Sequence, residues 1–126
     1  MAADAYLKVA AGQLQQAATE VKREADQTRA EATNLRGRLD TDIISLKTNL
    51  TAVQLEIDRN KDDPTAYAHL RKQAYQIQSE IDSKKNEMDK IVSQAEQKAR
   101  GKEGAMQGLK SQAQQLEQQA SDPNLR

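Results

Sequence analysis

The pentapeptide Asn60-Lys61-Asp62-Asp63-Pro64 interrupts, almost at its midpoint, a 126-residue chain that otherwise carries one continuous heptad-like apolar stripe. Such a break specifies two nearly equal long helices that fold back on each other. Asp62 or Asp63 can cap the free amides at the start of a second helix, while Pro64 sits in its first turn, where a missing N–H costs nothing. A connection this short favours antiparallel neighbours. The expected fold is therefore all-α: a long antiparallel two-helix coiled-coil hairpin, packed into a larger helical assembly. Its first helix is expected over about 4–60, the turn over 61–64, the second helix over about 65–120, and a short C-terminal tail beyond.

The stripe supports this reading on both sides of the break. Before it, Leu7, Leu14, Val21, Leu35, Leu39, Ile43, Leu46, Leu50, Val53 and Ile57 recur in steps of three and four, with Ala11, Ala18, Ala25, Thr28 and Ala32 filling the gaps. A seam repeating about every 3.5 residues is the signature of supercoiled helices. The steps four, four, three at Leu35, Leu39, Ile43 and Leu46 form a stutter that locally relaxes the supercoil. After the break, Tyr67, Leu70, Ala74, Ile77, Ile81, Met88, Ile91 and Ala95 resume the pattern, and Leu109, Ala113, Leu116 and Ala120 extend it. Folding at Asp62 sets Ile57 near Tyr67, Leu46 near Ile77, Ile43 near Ile81, Leu35 near Met88, Leu14 near Leu109 and Leu7 near Leu116.

Composition limits what such a hairpin can enclose. With no Phe or Trp and three Tyr, burial falls to Leu, Ile, Val, Met and Ala, which suits a thin seam and not a globular core. The turn-proximal half, rich in Ile and Leu, is expected to be the stable half, and the Ala-filled distal half the weaker one. A two-helix seam of this kind buries little area against the cost of ordering the chain, so association with further helices is expected. Met106, Ile44 and Val92 fall off the main seam and are candidate partner contacts. Gly101, Gly104 and Gly108 join them, because glycines one turn apart let another backbone approach closely. The same cluster also fits a hinge or a frayed segment.

Catalytic chemistry is not expected. The acid pairs Asp40/Asp42 and Asp62/Asp63 have no apolar enclosure to separate their pKa values. His69 stands alone, and zero Cys removes thiolate ligands. No Gly-rich loop precedes a Lys-Ser or Lys-Thr pair. No cofactor, metal or small-molecule substrate is therefore expected.

Partners are constrained by charge. Nineteen basic and nineteen acidic side chains cancel, leaving no long-range field for phosphate polymers. Lys98, Arg100, Lys102 and Lys110, with Lys22 and Arg23, form a basic patch, yet Glu20, Glu24, Glu96 and Glu103 interleave with it and no aromatic residues offer stacking. A nucleic-acid-contacting arm is thus the weakest of three readings. The favoured one is a structural protein that assembles with itself or docks a helical protein partner. The alternative is a membrane-surface or membrane-remodelling hairpin, to which the chain is similar only in length, turn position and lack of a core. The N-terminal segment lacks a basic start and an uninterrupted apolar run, so a cytoplasmic protein is expected, and export without a cleaved signal leaves the same trace.

Overall fold

The computed structural model describes residues 2–122 and contains two helices, α1 (Ala2–Arg59) and α2 (Pro64–Ser121), which pack against each other as an all-α hairpin. The expected tail lies, from residue 123 onward, outside the described residues. Among the described residues no backbone has a positive φ, and no peptide bond is cis.

The turn follows from local hydrogen bonding. At the end of α1 the Asn60 amide donates to the carbonyls of Glu56 and Ile57, and its side-chain amide donates to the Glu56 carbonyl at 2.7 Å. These bonds satisfy carbonyls that a helix end leaves without partners. The Asp63 amide then donates back to the Asn60 carbonyl at 3.1 Å, closing the turn. Of the two candidate caps, Asp63 is the one that acts: its Oδ1 accepts from the Ala66 amide at 3.2 Å. Pro64 is the first residue of α2, and the first intrahelical bond runs from the Tyr67 amide to the Asp63 carbonyl.

Two compact units can be distinguished along the hairpin, one of residues 2–31 with 94–122 and one of residues 32–93. The second contains the turn. Its buried apolar side chains are Ile43 and Ile81, 4% and 1% exposed, together with Ala32. Leu39, Leu46, Leu50, Val53, Ile57, Leu70, Ile77 and Met88 are half-buried along the same seam. Leu35 departs from the expected seam: it is 45% exposed. At the stutter the stripe advances by four residues twice, so a side chain one step before it is carried off the contact line.

The other unit is built on alanine. Ala11, Ala18 and Ala25 recur at intervals of seven on α1, and Ala99, Met106, Ala113 and Ala120 do so on α2; all are buried. Leu7, Leu14, Val21, Leu109 and Leu116 flank them half-buried. Met106 was expected off the seam and is instead 7% exposed within it. Its position seven residues after Ala99 and seven before Ala113 explains this, since a heptad period returns a side chain to the same face. Small residues at each repeat let two helix backbones come close enough to exclude water completely, though each contact buries little area. This unit holds most of the fully buried positions, in the half whose sequence looks weakest.

Candidate interaction surfaces

The seam is edged by charged side chains that the apolar stripe does not reveal. In the alanine-rich unit Arg29 reaches from α1 to α2 and donates to Glu103 at 2.6 Å and to Glu96 at 3.1 Å. Arg100 donates to the same Glu96 from one turn away at 3.1 Å. Lys102 Nζ lies 2.8 Å from Glu24 Oε2, and Gln15 donates to Glu117 at 2.8 Å. These cross-helix contacts hold the carboxyls of Glu96 and Glu103 below the usual carboxylate range, chiefly through hydrogen bonds from Arg29. They also raise the Arg29 guanidinium further above its ordinary value, the bond to Glu103 contributing most.

Lys84 reaches across the seam from α2 to α1 in the turn-containing unit. It falls three residues after Ile81 and four before Met88, squarely on the stripe, with its side chain 26% exposed and Nζ 3.8 Å from Asp42 Oδ2. A lysine can lay its alkyl stem along apolar neighbours while the ammonium reaches an acid at the rim. Lys84 and Lys102 are seam residues that an apolar count misses, and their heptad positions were the available signal.

Arg100 and Lys102, two members of the expected basic patch, are thus engaged with Glu96 and Glu24, and Arg23 pairs with Glu20 within α1. The Glu20 carboxyl is lowered by that bond. His69 and the Asp40, Asp62 and Asp63 side chains are exposed. Among the described residues no group of His, Cys, Asp and Glu is placed to hold a metal ion, and no helix is long and apolar enough to cross a membrane.

The expected partner contacts divide. Met106 is enclosed, as described. Ile44 and Val92 are 58% and 42% exposed. Val92 shares a shallow groove of about 280 Å³ with Met88, Arg36, Asp89 and Ser93. Gly101, Gly104 and Gly108 lie on exposed turns of an uninterrupted α2, so the segment is neither frayed nor broken. A Cβ at any of them meets nothing within 4 Å.

Further exposed apolar side chains are Leu55 at 53%, Tyr75 at 74%, Tyr6 at 76% and Val9 at 59%. Leu55 and Ile44 lie eleven residues apart, which returns to almost the same face of a helix. No protein-family model matches this chain, and neither a curated protein nor a solved structure does.

Proposed function

We propose that this chain is a non-enzymatic structural protein that self-assembles by packing its helices against those of further copies. The observation that carries this reading is an inversion of the usual burial order. Among the described residues the fully buried apolar set is seven alanines with Ile43, Ile81 and Met106, while Leu35, Ile44, Leu55 and Val92 are 42% to 58% exposed. A single large apolar side chain at the surface is ordinary; several on one narrow hairpin leave apolar area that only another surface can remove from water. Exposed Ile and Leu side chains each contribute roughly 1–2 kcal/mol when a partner covers them, enough together for reversible association.

Light scattering after size-exclusion chromatography, over a wide concentration range and with or without anionic vesicles, tests the reading. Discrete oligomers of the protein alone are the expected result. A monomer at every concentration overturns self-assembly, and assembly only on vesicles replaces it with the membrane-surface reading.

A further inference from the structure

The outer face of α1 between residues 37 and 55 carries a second heptad stripe, Gly37, Thr41, Ile44, Thr48, Thr51 and Leu55, spaced four, three, four, three, four. It lies two residues out of phase with the seam positions Leu39, Ile43, Leu46, Leu50, Val53 and Ile57, and therefore on the opposite side of the helix. All six residues are exposed. Charged residues make up 30% of the chain, yet from Ile43 to Leu55 the only one is Lys47.

Two details suit this face for burial. The hydroxyls of Thr41, Thr48 and Thr51 already donate to the carbonyls of Gly37, Ile44 and Lys47, at 3.0, 3.1 and 3.0 Å. Covering them strands no donor. Gly37 is exposed in the helix interior, and a Cβ there meets nothing within 4 Å. Nothing inside the hairpin requires that glycine, although it weakens the helix relative to alanine.

Resting on the self-assembly reading, we propose that this stripe is a two-fold interface with a second copy of the same chain, the two α1 helices running antiparallel. In that alignment the stripe is its own complement in size. Leu55 of each copy faces Gly37 of the other and Ile44 faces Thr48, so each large side chain meets a smaller one, while Thr41 faces Thr51. The uncharged stripe desolvates no charge of its partner copy. Nineteen residues make about five helical turns, and two such faces cover roughly 1,000 Å² in total, the lower limit for a specific interface. The dimer is accordingly weak and concentration-dependent. Its one electrostatic conflict is at the rim, where Lys47 meets its own copy across the two-fold axis.

Sedimentation equilibrium of the full chain, with disulfide trapping, tests the alignment. The protein has no cysteine, so single replacements report cleanly. Ser45→Cys, at the rim beside the axis, is expected to form disulfide dimers under mild oxidation at least tenfold faster than Tyr75→Cys on α2. Gly37→Leu, which fills the space reserved for Leu55, is expected to weaken the dimer at least tenfold while leaving helicity intact. Raising sodium chloride from 50 to 500 mM is expected to tighten the dimer by screening Lys47, and Lys47→Gln to remove that salt effect. Equal trapping at the two cysteines, or a Gly37→Leu dimer as tight as the parent, overturns the interface. If oligomers persist in that case, self-assembly stands and uses another face; a parent protein that is monomeric throughout overturns both.

Discussion

The Arg29 guanidinium on α1 donates across the hairpin to the Glu103 carboxylate on α2 at 2.6 Å. It does so in a unit whose buried seam positions are all alanine except Met106, with Leu7, Leu14, Val21, Leu109 and Leu116 half-buried beside them, so that side-chain size at the buried positions does little to distinguish one register from the next. Charge placement supplies what apolar shape does not. Because Glu103 and Glu96 are held below the usual carboxylate value of 4.5, they stay ionised in the fold at a pH where the unfolded chain takes up protons. Their contribution is fully present above pH 4.5 and is lost as the pH falls through their lowered values.

Acid should therefore loosen this unit first. Hydrogen exchange followed from pH 7 to pH 3 is expected to show amides of residues 11–31 and 94–113 losing protection before those of residues 39–57. Glu103→Gln should lower the melting temperature at pH 7 and flatten the acid dependence. Both carboxylates are about 41% exposed, so the effect is modest and weakens with salt. An acid transition that is uniform along the chain contradicts the assignment.

Close approach at the alanine seam predicts intolerance of size. Ala18 is fully buried, and Ala18→Leu introduces a side chain with no space to enter, at a cost of about 1–3 kcal/mol. Ile81→Ala, in the other unit, leaves a cavity and costs about 2–5 kcal/mol. Urea denaturation monitored by circular dichroism measures both. An Ala18→Leu variant as stable as the parent, or more so, means that the helices are not in contact there.

At the turn, Asp63 accepts the Ala66 amide and its neighbour Asp62 is exposed with no such role. Asp63→Ala is expected to cost about 1 kcal/mol, the usual value of an N-cap. Asp62→Ala should fall within about 0.5 kcal/mol of the parent. The same denaturation experiment compares them, and reversed magnitudes reassign the cap.

How far the fold can be read from the chain depends on what each residue signals locally. The break at residues 60–64 and the three-four spacing state both helices and their pairing, because a heptad period and an Asp-Pro turn act through near neighbours. Met106 misleads for the opposite reason: its burial depends on Ala99 and Ala113, residues that read as filler unless counted in sevens. Leu35 shows the complementary error, a large apolar residue on the nominal stripe that the stutter turns outward. Arg29 and Lys84 give no seam signal, and Lys102 reads as part of a solvated basic patch, because polar residues at a seam edge look like surface until the opposite helix supplies Glu103, Asp42 and Glu24. The outer stripe of α1 was missed apart from Ile44, since three of its six members are threonines, whose hydroxyls count as polar although the helix itself satisfies them.

The glycines of α2 separate stability from association. Gly101, Gly104 and Gly108 sit in regular helix with open space around each, so nothing within the hairpin opposes a methyl group. Gly104→Ala and Gly108→Ala are each expected to stabilise the helix by about 0.5–1 kcal/mol, mainly by reducing the freedom of the unfolded chain. Thermal melts should rise for both variants. The interface proposed on α1 does not use this face, so the concentration dependence of light scattering is expected to match that of the parent. A double variant that melts higher yet no longer assembles identifies the glycine turns as the contact between copies, in place of the stripe from Gly37 to Leu55.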